Sequence, residues 1–177
     1  MAHFEATAVG GYYPLPPAVI PYILRLINSR LALAYTYEAS HHHYHGTYNL
    51  FDPGAGSGEA LALLAAGLFP NPGNTDLTHS PLVRLYGAEL EQGRAEALQG
   101  TLAACSPHSY SYHADTFMLD WQGRFNSGPR MQLALLNPPY DTDPAYGRLE
   151  HRFLERITDS LEPNKGLLLY VVPHYSL

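Results

Sequence analysis

Lysine is almost missing from this chain. Lys165 stands alone beside nine arginines, and these ten cations face 16 acidic residues, for a formal charge of −6 over 177 residues. Domains that bind polynucleotides usually show a basic excess, so no global positive field draws a polyanion here. Cysteine is as scarce. A single one, Cys105, excludes an internal disulfide framework and a cysteine-based zinc site, and fits a reducing compartment. Long apolar runs are missing too: none approaches the ~20 residues of a membrane helix, and no basic patch followed by an apolar run marks an export signal. The expectation is a cytoplasmic protein with no membrane partner. Disorder is excluded, because only 15% of residues are charged while 46% are apolar and 12% aromatic.

What the chain does have is glycine and proline, 15 of each, and 14 tyrosines. Its length suits one domain with a single core, read as an N-terminal motif and helix over 1–35 and a core over 46–177. The segment GGYYPLPP breaks regular structure and leads into a helix from Pro17 to about Leu33, where Val19, Ile20, Ile23, Leu24, Ile27 and Leu31 recur at helical spacing. A loop follows, containing His41, His42, His43 and His45; consecutive histidines do not converge on one ion, so no metal site is expected. Strands are then predicted at 48–52, 83–89, 110–114, 132–136 and 167–172, and helices at 58–68, 91–104 and 148–161, with a proline-rich surface connection over 70–81. Strands alternating with helices predict an α/β fold, a mostly parallel sheet with helices on both faces. Tyr110 and Tyr112 alternate along the third strand and read as sheet-face packing; Cys105 reads as an incidental thiol.

The first strand ends in FDPGAGSGEAL. Gly54, Gly56 and Gly58 supply a tight turn, and the helix that follows offers free N–H groups to a ligand. The Lys-Ser/Thr pair of a phosphate loop is absent. Asp52, just before the glycines, would repel a pyrophosphate and suits a cationic ligand. Glu89 ends the next strand, from where a carboxylate can accept from both hydroxyls of a ribose. Asp115, after the third strand, is placed to accept from an exocyclic amine. Three acidic residues thus fall at three successive strand ends on the carboxyl edge of one sheet, where α/β proteins bind ligands.

The fourth strand runs into LLNPPYD. Pro138 and Pro139 stiffen the backbone and remove two N–H donors, Asn137 adds a side-chain acceptor, and Tyr140 adds a flat aromatic surface. Such a pocket suits a planar group bearing N–H bonds. The nitrogen of such a group is a poor nucleophile until acceptors engage its hydrogens, so the pocket favours its attack on an electrophilic methyl.

In this order, GYYPLPP, FDPGAGSGEAL, YGAELEQ, HADTF and NPPY resemble the motifs of class I S-adenosylmethionine-dependent methyltransferases, and NPPY is similar to that of the DNA N6-adenine amino-methyltransferases. The resemblance covers about residues 10–175 and implies a Rossmann-like sheet with S-adenosyl-L-methionine as cofactor. On this likeness Asp52, Pro53, Gly54, Ala55 and Gly56 surround the cofactor's amino-acid end, Glu89 and Leu90 its ribose, and Asp115, Thr116 and Phe117 its adenine, while Tyr13 and Pro14 close over the methionine and Asn137 touches both cofactor and target. Leu15 stands where the family often has Thr. Asn137 and the Pro138 carbonyl would accept from the target amine, and Tyr140, beside Pro139, would stack on a target base flipped out of its duplex. The substrate implied is DNA; a protein glutamine amide, an RNA base, or a cofactor-binding module without turnover remain open. The family's sheet carries two more strands than are predicted here and often an added target-recognition domain, so the expectation is a catalytic domain whose fifth strand is covered by a partner chain, a second copy or a further C-terminal region.

Overall fold

The computed structural model describes residues 14–27, 47–69, 82–121, 130–140, 142–144 and 147–172. Tyr13, the four loop histidines and the 70–81 connection lie outside the described residues. After a 3-10 turn at Pro17–Val19, where the prolines accept the turn's fixed φ, helix α1 spans 20–27. Then come β1 (Thr47–Asp52), α2 (Glu59–Leu68), β2 (Leu82–Glu89), α3 (Gln92–Cys105), β3 (Ser109–His113), β4 (Leu133–Leu136), the short β5 (Thr142–Asp143) and β6 (Gly147–Arg148), α4 (Leu149–Thr158) and β7 (Leu167–Tyr170).

Five strands form one sheet in the order β3-β2-β1-β4-β7, every pairing parallel, while β5 and β6 form a separate antiparallel hairpin. This is the α/β sheet expected from the alternation of patterns. The element boundaries moved by one to three residues. Helix α4 ends at Thr158 instead of 161 because the chain turns there: Ser160 and Leu161 donate to Ile157 O and Thr158 O, and Glu162 donates to Met131 O. The last strand stops at Tyr170, with Val171 N still donating to Leu136 O.

Two apolar layers hold the sheet. On one face Leu50, Leu85 and Leu133 pack with Ile27 of α1, Leu61 and Ala65 of α2, and Leu98 and Leu102 of α3. On the other, Phe51, Tyr86 and Ala134 pack with Trp121, Met131 and Ile157 of α4. Strand alternation sends Leu50 and Phe51 to opposite faces, which makes β1 buried on both. Each such leucine or phenylalanine contributes about 1.5–3 kcal/mol of burial. Trp121 is the largest buried side chain; its indole N–H donates to the carbonyl and the hydroxyl of Thr116 at 3.1 Å, which satisfies the one polar atom it carries inward. Tyr112 meets the Trp121 ring edge-on at 5.6 Å and Tyr110 stacks on Tyr86 at 4.8 Å, so both third-strand tyrosines pack on the sheet face. Cys105 ends α3 as a half-buried thiol whose pKa is raised by burial.

The sheet order reverses direction beside β1. β2 and β3 lie on one side of it, β4 and β7 on the other, and a crevice at the carboxyl ends of such neighbouring strands is where open α/β sheets bind ligands. Asp52 ends β1 and Asn137 follows β4, so both stand at that place.

Candidate active site

The turn after β1 is shaped by two glycines. Gly56 (φ 54°) and Gly58 (φ 81°) adopt the left-handed region that side chains disfavour, whereas Gly54 does not. At Gly54 a Cβ would only reach ordinary van der Waals contact with Phe153 Cε1, at 3.9 Å, which puts the Phe153 ring beside the turn. Gly58 caps α2, and a Cβ on it would lie 2.7 Å from Leu98 Cδ1. Ala55 N donates to Ala88 O, which fastens the turn to β2.

Asp52 is 3% exposed, and its Oδ1 accepts from Gly54 N at 3.0 Å. Burial pushes its carboxyl up from 3.8 to about 7; the Gly54 bond opposes this and the charge of Glu89 adds to it. The carboxylate expected to meet a cation is therefore poised near neutrality. One concavity joins Pro14, Leu15, Asp52, Gly54, Ala55, Leu135 and Asn137, with Glu59 and Ala60 of α2. Sequence reasoning passed over Glu59. It occupies the first position of α2, where an acidic residue is explained equally well by the helix dipole.

Glu89 is buried and already engaged. Its Oε2 accepts from Gly56 N at 3.0 Å, and its Oε1 accepts from Glu91 N and from Arg94 Nη2, both at 2.9 Å. Arg94 had drawn no attention in the sequence, since it follows on a helix pattern and only the fold turns it back onto the strand end. Leu90 is exposed, while Pro53 and Thr116 are buried.

β3 ends before Asp115, which instead caps the 3-10 turn Thr116–Met118 by accepting from Phe117 N at 2.9 Å. The Phe117 ring meets Phe153 of α4 edge-on at 4.7 Å, and the Arg152 guanidinium lies 4.0 Å from its centroid. Phe153 thus joins Phe117 and Gly54 although about 100 residues separate it from the glycine turn. Helical periodicity marks such a residue only as core, which is why the sequence did not reveal it.

In the Asn-Pro-Pro-Tyr segment Pro138 is buried and Pro139 half-buried. The Tyr140 hydroxyl lies 2.8 Å from Asn137 Oδ1 and 2.8 Å from Val171 O, and with one proton it donates to one of them at a time. The segment is thereby tied to the carbonyl edge after β7. Following it, Arg148 of β6 pairs with Glu150, a wholly buried carboxylate, and the Tyr170 hydroxyl donates to Glu150 O at 2.9 Å. Burial alone would raise the Glu150 carboxyl, but bonds from its own backbone N–H and from Arg148 outweigh it and hold the carboxyl below its ordinary value. Among the described residues no group of three His, Cys, Asp or Glu is arranged to hold a metal ion, and no helix is long and apolar enough to cross a membrane.

The fold has relatives among solved structures. The methyltransferase subunit of the type I restriction-modification system from Streptococcus thermophilus is 18% identical with a TM-score of 0.61, over 93% of this chain and 35% of that one. A modification subunit ascribed to a type I restriction enzyme of Vibrio vulnificus is 15% identical with a TM-score of 0.55, over 89% of this chain and 32% of that one. A protein from Listeria monocytogenes assigned to the class I S-adenosylmethionine-dependent methyltransferases is 15% identical with a TM-score of 0.56, over 84% of this chain and 46% of that one. This chain spans about a third to a half of the length of those structures. No protein-family model and no curated protein matches the sequence. At these identities the likeness is one of fold alone: the mostly parallel, Rossmann-like sheet with flanking helices is shared with those structures.

Proposed function

We propose that this domain binds S-adenosyl-L-methionine and transfers its methyl group to an exocyclic amino nitrogen, with adenine N6 in DNA as the substrate. One observation carries the reading: Pro14, Asp52, Gly54, Ala55 and Asn137, drawn from three separate motifs, line a single concavity at the reversal point of the sheet. When bound, the cofactor supplies an electrophilic methyl on a positively charged sulfur. Asp52 and the glycine turn bind its amino-acid end. Glu89, beside exposed Leu90, accepts from the ribose, and Asp115, Thr116 and Phe117 frame the adenine, with Phe153 as a second apolar surface beside Gly54. The Asn137 side chain and the Pro138 carbonyl accept hydrogen bonds from the target amine, which concentrates its lone pair toward the methyl. Tyr140, braced by Val171 O, holds the segment and stacks on the target ring. Tyr13 belongs to the N-terminal closure with Pro14.

The test is calorimetry with S-adenosylmethionine and S-adenosylhomocysteine. Binding by the intact chain that is lost in an Asp52→Ala, Glu89→Ala double variant supports the reading; no binding by the intact chain sinks it. Asn137→Ala should abolish transfer to duplex DNA while leaving cofactor affinity within about twofold.

The net charge of −6 favours a second reading, in which the same chemistry serves a protein glutamine amide, and an RNA base offers the same planar N–H nitrogen. Parallel assays on duplex DNA, transfer RNA and protein extracts separate them. For DNA, the positive surface that meets the phosphates is proposed to lie on a partner subunit or a further C-terminal region; β7 is an edge of the main sheet, which either of these or a second copy would cover.

A further inference from the structure

The Glu89 carboxylate has two oxygens and about four lone-pair positions. Three are filled by protein donors: Gly56 N on Oε2, and Glu91 N with Arg94 Nη2 on Oε1. A vicinal diol that grips a carboxylate needs one acceptor position on each oxygen. Oε2 has room for one hydroxyl; Oε1 has none while Arg94 holds it. The two backbone donors are fixed by the turn after β1 and by the start of α3, whereas the guanidinium is the far end of a flexible side chain, 23% exposed. Only the arginine can yield.

On the reading that Glu89 receives the cofactor's ribose, we propose that Arg94 is a latch on that site. In the free protein its guanidinium occupies the oxygen the second ribose hydroxyl requires, and binding of a complete diol displaces it. Holding Glu89 in position does not require it, because the backbone N–H groups of Gly56 and Glu91 already engage one oxygen each. Cofactor binding therefore competes with an internal ion pair, and the loaded domain presents the Arg94 cation beside the ribose, on a chain otherwise short of positive charge.

Calorimetry on wild type and Arg94→Met, with S-adenosylhomocysteine and its 2′-deoxy analogue, tests this. Arg94→Met should bind S-adenosylhomocysteine about 3- to 10-fold more tightly than wild type, the scale of one partly exposed charged hydrogen bond. The 2′-deoxy analogue, with one hydroxyl for the one open position, should bind both proteins within about twofold. A weaker or unchanged affinity of Arg94→Met for S-adenosylhomocysteine, or an equal gain for the deoxy analogue, overturns the latch while the cofactor reading stands. Absence of binding by wild type overturns both. Should Arg94→Met fold poorly, nitrogen-15 NMR of the wild-type arginine side chains decides. Saturating S-adenosylhomocysteine should move the Arg94 guanidinium signal to the position of a free, solvent-exchanging group, and an unmoved signal refutes displacement.

Discussion

Asp52 offers the sharpest test of the physical account of the site, through the pH dependence of folding. Its carboxyl ionises near 3.8 in the unfolded chain and at about 7 when folded, because burial penalises the charged form. Below the unfolded value both states are protonated and nothing is lost. As pH rises from about 4 toward 7 the unfolded chain ionises while the folded one keeps its proton, so stability falls across that window and levels off above it. At about 1.4 kcal/mol per pH unit, the interval between 3.8 and about 7 sets an upper figure of about 4 kcal/mol lost by pH 8. Asp52→Asn keeps an oxygen for the Gly54 N–H and cannot ionise. It should match wild type at pH 4 and exceed it by up to about 4 kcal/mol at pH 8. The assay is urea unfolding at half-unit pH steps, followed by fluorescence of the single, 1%-exposed Trp121, with equal m values required of both proteins. Stability curves that run parallel from pH 4.5 to 8, or an asparagine variant less stable at pH 8, refute the reasoning.

Because a cationic ligand favours the ionised carboxylate, S-adenosylmethionine affinity should rise by up to about tenfold per pH unit below pH 7 and level off above it, and Asp52→Asn should flatten that profile; calorimetry in buffers of different ionisation enthalpy would register the released proton. Gly58→Ala should cost about 2–4 kcal/mol in urea unfolding, since it combines a side chain at φ 81° with a Cβ 2.7 Å from Leu98. Tyr140→Phe removes the hydroxyl that braces the Asn-Pro-Pro segment against Val171; it should destabilise by about 1 kcal/mol and lower kcat for methyl transfer more than it changes cofactor affinity. An unchanged kcat would show that the brace does not position the segment.

Much of the fold could be read directly from the chain. The alternation of apolar strand and helix patterns around 48–170 placed every strand of the main sheet, because both patterns are local; β1, β2 and β4 are largely buried, while β3 and β7 at the sheet's edges are only half-buried. Turn chemistry was also legible: FDPGAGSG announced a tight turn at Gly54, Gly56 and Gly58, of which Gly56 and Gly58 take the left-handed region and Gly54 does not. The hairpin β5–β6 was not, since two-residue strands leave no periodic trace. The end of α4 differs where the chain turns and Glu162 donates to Met131, and β7 is shorter than its apolar run although Val171 N keeps a ladder bond to Leu136 O.

For the site, the chain named the acids and the Asn-Pro-Pro-Tyr segment, because unusual residue types at strand ends are visible one strand at a time. What those groups can do was decided in three dimensions. The pKa of Asp52 follows from complete burial, the occupancy of Glu89 from a helix that folds Arg94 back onto it, and the apolar wall from Phe153 arriving beside Gly54 and Phe117. Sequence determines which chemical groups stand at the strand ends, since backbone propensity and side-chain type are local. Solvation, ion pairing and contact are properties of space, and only the packed sheet and its helices set them.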